Sequence, residues 1–103
     1  MNESCDLCRL HSLRELKSTL HYENEQFIVV DCIICQTPMV VLKAHRPSFN
    51  DHEKNTLAKM LIELFGIHGV LDWEQRKIPE HAHVHLRPRP FPGTVTVPLS
   101  QYV

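Results

Sequence analysis

The chain has 103 residues, enough for one compact domain and too few for two. Its 43% hydrophobic and 22% charged residues match an ordinary globular composition and exclude disordered, collagenous and low-complexity chains. Eleven basic against 12 acidic side chains give a net charge of −1, so no overall positive field would gather a nucleic-acid polymer or an anionic membrane.

Met1 to Asp6 contains neither a basic nor an apolar run of the kind that directs secretion, and the apolar stretches Phe27–Val30 and Met39–Leu42 fall far short of the roughly 20 residues that span a bilayer. The expectation is a cytoplasmic protein with reduced thiols. Cys5-Asp6-Leu7-Cys8 has the half-site spacing of many tetrahedral zinc sites, and Cys32-Ile33-Ile34-Cys35 repeats it. Read alone, the two pairs suggest a four-cysteine zinc site. Against it, Cys32 and Cys35 lie in an apolar, strand-like run where residues three apart face opposite sides. A redox role for the pairs lacks the surrounding βαβ pattern.

From Asp6 to Ser18, Leu7, Leu10, Leu13 and Leu16 recur at intervals of three, which suits a short helix or irregular turns. Thr19–Tyr22 reads as a short strand, Glu23–Glu25 as a turn, and Phe27–Ile34 as a longer strand, together a hairpin. Pro38 introduces a third strand, Met39–Leu42, which runs out at Lys43-Ala44-His45. A helix is predicted over Asp51–Phe65, because Leu57, Met60, Leu61, Leu64 and Phe65 fall on one face. Asn50 suits its N-cap, Asp51 and Glu53 its first turn, and Gly66 its left-handed end.

Val70–Glu74 and His81–Leu86 read as antiparallel partners. The stretch from Arg87 on carries Pro88, Pro90, Pro92 and Pro98, so it cannot be a central strand, and residues 91–103 read as an extended tail. Strands, one long helix and further strands predict an α+β domain over residues 1–103, an antiparallel sheet with the central helix on one face.

The chemistry concentrates at His81, His83 and His85. In a strand the three rings project from one face, about 6.5–7 Å apart, and Ala82, Val84 and Leu86 from the other. Clustered imidazoles oppose each other's protonation, which favours a neutral ring able to act as nucleophile or metal ligand. A purely structural metal site would use the same spacing. His11, His21, His52 and His68 read as surface or helix-end residues, and Trp73 and Met60 as packing residues.

His81-Ala82-His83-Val84-His85-Leu86-Arg87 resembles the histidine triad motif, in which histidines alternate with apolar residues, of the HIT superfamily of nucleotide hydrolases and transferases. The N-terminal C-x2-C, the hairpin, the strand ending at His45 and the central helix follow in the order of zinc-containing HIT proteins, over about residues 5–90. The resemblance implies a HIT-like fold with a zinc-binding N-terminal segment over residues 1–18 and cleavage of a phosphoramidate or phosphoanhydride at the α-phosphorus of a small-molecule nucleotide.

In that scheme His83 is the nucleophile that carries the nucleotidyl group, and His85 binds phosphate oxygens or protonates the leaving group. Arg87 offsets charge, Asp31 binds the sugar, Phe27 and Ile28 wall the base, and structural Zn2+ is held by Cys5, Cys8, His45 and His81. A homodimer is implied too, with Gly93–Val103 free to cross to the partner. Two departures are visible: a further family histidine falls on Thr37, and the polar segment before the triad is replaced by Arg76-Lys77-Ile78-Pro79-Glu80. Glu80 would repel a phosphate if it faced the site, whereas Arg76 and Lys77 could attract one. The alternatives are a catalytically weak nucleotide- and zinc-binding module of the same fold, and a four-cysteine zinc protein whose histidines hold another metal.

Overall fold

In the computed structural model, the described residues are Leu7, 19–32, 37–75, 78–90, Gly93 and 95–102. Cys5, Cys8, Cys35, Arg76, Lys77 and most of the 1–18 segment lie outside them. Six strands, β1 (Leu20–Glu23), β2 (Phe27–Asp31), β3 (Pro38–Leu42), β4 (Val70–Asp72), β5 (His83–Arg87) and β6 (Thr96–Pro98), form one sheet in the order β1-β2-β3-β5-β4-β6. Every neighbouring pair is antiparallel. The helix α1 (Asp51–Phe65) links β3 to β4, and β5 then inserts between those two strands. The α+β architecture read from the sequence is therefore the observed one.

The hairpin β1–β2 turns at Asn24, whose side-chain Oδ1 accepts from the N–H groups of Gln26 and Phe27, each at 2.8 Å. This Asx turn lies a residue later than predicted. At its other end β2 stops at Asp31, Ile33 and Ile34 of the predicted longer strand lie outside the described residues, and the Cys32 N–H donates to Thr37 O at 2.8 Å.

The helix has both predicted boundaries. Asn50 Oδ1 accepts from the Glu53 N–H and Glu53 Oε1 from the Asn50 N–H, a complete capping box. Gly66 adopts φ 91° and donates its N–H to Ile62 O at 2.8 Å. Arg46 reaches across to Glu53 as well. Burial by itself would raise the Glu53 carboxyl, but the Arg46 hydrogen bond, the Asn50 N–H and the Arg46 charge outweigh it and hold the carboxyl below its usual value. Because its folded value is the lower one, the stabilisation from ionised Glu53 is present above the unfolded carboxyl range and is lost as pH falls through the folded value.

Register assigns the faces. One side of the sheet presents Phe27, Val29, Val40, Leu42, Leu71, Ala82, Val84 and Leu86, which pack with Leu57, Ala58 and Leu61 of α1 and with Phe49 and Leu99. Ala82, Val84 and Leu86 thus face the core as predicted. Leu64 and Phe65, expected on the same buried stripe, are 39% and 40% exposed. The last helical turn runs out over the edge strand β1, where the Phe65 ring meets His21 edge-on at 5.2 Å. Leu7, Ile28, Val30, Met39 and Val41 form a second apolar cluster, with Cys32 and Ile78 packed against it.

Within the proline-rich tail, residues 96–98 are extended and peripheral, as expected. They form β6 on the outer edge of β4, and a 3-10 turn, Leu99–Tyr102, follows. Leu99 is fully buried and its N–H donates to Gly69 O at 2.9 Å. Residues 96–102 of the segment read as free to cross to a partner pack here on β4 and the core of the same chain. No helix among the described residues is long and apolar enough to cross a membrane.

Replacing Asn50 with Ala removes the capping acceptor and is expected to cost about 1 kcal/mol. A thermal melt followed by circular dichroism should then shift down by roughly 4–8 °C; an unchanged melt would mean that the box contributes nothing to stability.

Candidate functional site

Strand β5 is paired on both sides, to β3 through Met39↔His85, Val40↔Val84 and Val41↔His83, and to β4 through Leu71↔Leu86 and Asp72↔His85. This double pairing holds the alternation of its side chains. His83 and His85 accordingly share a face with Ile28, Val30, Met39 and Val41, opposite the helix. Their rings meet edge-on with centroids 5.8 Å apart and are nearly covered, the residues being 5% and 8% exposed.

His81 differs from the prediction. The strand begins at His83, and His81 lies before it, just past the turn at Pro79-Glu80. Backbone bonds from Leu42 N–H to Ala82 O and from Ala82 N–H to Arg46 O bring this stretch alongside the segment that follows β3. His81 is fully buried, with Nε2 2.6 Å from Leu42 O. That contact requires an N–H at Nε2, which leaves the neutral ring's Nδ1 as an acceptor.

His81 Nδ1 lies 3.2 Å from Nδ1 of the exposed His45, the two rings edge-on at 5.1 Å. Two nitrogens bound tetrahedrally at about 2.0–2.1 Å from one zinc ion would be about 3.3–3.4 Å apart. A backbone carbonyl on the second ring nitrogen is the usual orienting partner of a metal-bound imidazole. His45 and His81 therefore fit half of a tetrahedral zinc site. Cys5 and Cys8, the other half of the predicted set, lie outside the described residues, and among the described ones no group of three or more His, Cys, Asp or Glu could hold a metal. Leu7, which separates the two cysteines in sequence, is buried in the apolar cluster on the His83 face. Cys32 is half-buried against that same cluster.

His83 is oriented by the segment just before its strand, with Nδ1 2.8 Å from His81 O. The Nδ1–H donates, so Nε2 carries the lone pair. Burial keeps this ring below the usual histidine range, opposed by the bond to His81 O and by the negative charges of Asp72 and Glu80. The cause is desolvation, where the sequence suggested repulsion among the imidazoles. The charge of Glu80, itself exposed, reaches the nucleophile candidate.

The predicted substrate contacts divide. Arg87 lies two residues beyond His85 on the same face and donates Nε–H to Asp72 Oδ2 at 2.8 Å. Asp31 ends β2 one residue out of phase with Val30, and its carboxylate is 2.7 Å from His21 Nε2, whose ring rests on the α1 end through Phe65. It is not brought to the histidine face. Phe27 packs against Phe49 in the helix-side core and is fully buried, so it offers no wall to a base beside His83. Ile28 does occupy the histidine face.

Thr37 precedes β3 and bonds Cys32 through its backbone, with no imidazole at that place. His52 and His68 are exposed as predicted, and Trp73 and Met60 pack against the core. His11 lies outside the described residues.

Two residues of the site were missed in the sequence. Gln75 Nε2 is 3.1–3.2 Å from the carbonyls of Pro47, Pro79 and His81, tying the loops around the triad together. Asp72, at the end of β4, is the fully buried partner of Arg87. An acidic residue closing an apolar strand signal was the available hint for Asp72, and nothing local marked Gln75.

No family model matches the chain, and no curated protein matches it. Among solved structures it is similar to a HIT family hydrolase from Clostridium thermocellum, with a TM-score of 0.66 and 23% sequence identity over 90% of this chain and 96% of that one. The six-stranded antiparallel sheet with one helix packed on it is thus the HIT-like fold.

Proposed function

We propose that the protein is a HIT-type nucleotidyl hydrolase or transferase that cleaves a phosphoramidate or phosphoanhydride at the α-phosphorus of a nucleotide, with His83 as nucleophile. The observation that supports it best is the bond from His83 Nδ1–H to His81 O, which leaves an unprotonated Nε2 on a nearly dry face. A ring held neutral and in one tautomer attacks without first losing a proton or reorienting.

In the first step the Nε2 lone pair forms a bond to phosphorus while the bond from phosphorus to the leaving amine or phosphate breaks. The leaving group departs with that electron pair and takes a proton, for which His85 is the neighbouring acid. Water then attacks the phosphorus and gives its proton to His85, left neutral by the first step, while the P–N bond returns its pair to His83, and the product is a nucleoside 5′-monophosphate. Among the described residues, Arg87, two residues beyond His85 on the same face, is the cation available to the phosphate oxygens. Phe27, buried in the helix-side core, and Asp31, held by His21, have no part in the step.

Structural zinc belongs to the same reading. Cys5, Cys8, His45 and His81 would hold it, supported by the facing Nδ1 atoms and by Leu7 seated on the histidine face. It would supply no chemistry to phosphorus but would tie the N-terminal segment to the residue whose carbonyl orients His83. A weakly catalytic nucleotide-binding module is the second reading, favoured by Thr37 standing where the motif has a further imidazole.

At pH 8, long-range 1H–15N NMR should show His83 protonated at Nδ1 only; an Nε2–H tautomer would remove the nucleophile. Incubation with adenosine or guanosine 5′-phosphoramidate and acid-free quenching should add one nucleotidyl group to the wild type by intact mass. His83→Ala should show no adduct and lose at least about 10³-fold in kcat. If neither nucleotide labels or turns over on the wild type, the binding-module reading stands instead. Elemental analysis should find about one zinc per chain, lost in Cys5→Ser, His45→Ala and His81→Ala and kept in Cys32→Ser; loss in Cys32→Ser with retention in His81→Ala would mean the four-cysteine site.

A further inference from the structure

Asp72 has no role in the reaction as described above, yet its place is constrained on every side. It ends the three-residue strand β4 directly across from His85, and its side chain is 0% exposed. A carboxylate stays ionised in such a place only against a counter-charge and donors. Arg87, diagonally across on β5 and 11% exposed, gives both, and the Glu74 N–H donates to the second oxygen, Oδ1, at 3.1 Å. Register puts Asp72, His83, His85 and Arg87 on one face. The pair is also particular to this chain's pattern, because Arg87 stands where the triad motif has an apolar residue.

We propose that Asp72 is a specificity-determining residue which, paired with Arg87, makes the site accept a phosphorus centre bearing one negative charge and reject one bearing two. The proposal rests on the reading of His83 as nucleophile and names the charge class of its substrate. Arg87 without Asp72 would attract any phosphate, the more strongly the more charge it carries. With the carboxylate beside it the local charges sum to zero, and a second negative charge on the ligand meets Asp72 where little water screens the repulsion.

The α-phosphorus of a nucleoside phosphoramidate carries one charge. Hydrolysis yields a terminal phosphate, whose second ionisation near pH 6 gives it two. The same carboxylate that tolerates the substrate therefore drives out the product.

The test is the ratio of the Ki of adenosine 5′-monophosphate to the KM of adenosine 5′-phosphoramidate at pH 8, repeated with the guanosine pair. Asp72→Asn is expected to lower this ratio at least about tenfold and Arg87→Met to raise it similarly. The double variant should return to within about threefold of wild type. Loosened packing would weaken both ligands alike and leave the ratio in place. A ratio within about twofold of wild type in Asp72→Asn overturns the proposal, whatever becomes of kcat.

Should Asp72→Asn not fold, adding it to Arg87→Met must bring the ratio back to within about threefold of wild type, and a ratio left at the Arg87→Met level overturns the proposal equally. If the wild type forms no adduct on His83, the parent reading fails by itself. Calorimetric affinities of the two nucleotides then supply the ratio, and equal affinities across the variants overturn the charge discrimination as well.

Discussion

The arrangement depends on the double pairing of β5. A strand hydrogen-bonded to β3 on one side and β4 on the other cannot slip by a residue without turning every side chain to the opposite face. Val84 and Leu86 are committed to the helix-side core, and that commitment leaves His83 and His85 no choice of side. The chemistry is thus held in place by the hydrophobic effect acting on its neighbours, at little conformational cost to the imidazoles themselves.

Around this strand the backbone does much of the orienting. His81 O receives the His83 Nδ1–H and lies within reach of Gln75, while Leu42 O receives the His81 ring. His81 and His83 therefore have their tautomers set by carbonyls, and each carbonyl is positioned by the sheet or its connecting loops. The two rings form a relay of orientation in which His81 fixes the segment and His83 reads that fixation through one hydrogen bond.

Much of this was legible in the sequence where the determinants are local. Asn50, Glu53 and Gly66 carry the helix ends within a few residues, and the alternation from His83 to Leu86 carries the two faces of β5. What failed to show has physical reasons. Strand β2 is buried on both faces, so Phe27-Ile28-Val29-Val30 has no alternation from which to tell which side each residue takes. His81 continues the alternating pattern yet precedes the strand, since the turn at Pro79-Glu80 and the bond from Ala82 N–H to Arg46 O shape its backbone. Asp72 and Arg87 are 15 residues apart and meet only through the β4–β5 register, which three residues of strand cannot announce.

The closing of the tail on β4 has a consequence for the border of the sheet. β4 is only three residues long and lies beside the histidine strand; uncovered, its outer amides and carbonyls would be a template for any extended segment. β6 covers that border, and it ends in Pro98, which has no N–H to offer a further strand. Leu99, fully buried just beyond, anchors the cover in the helix-side core. Residues 96–102 thus act as a selvedge for β4, closing its open side with a short strand and pinning that strand through one buried leucine.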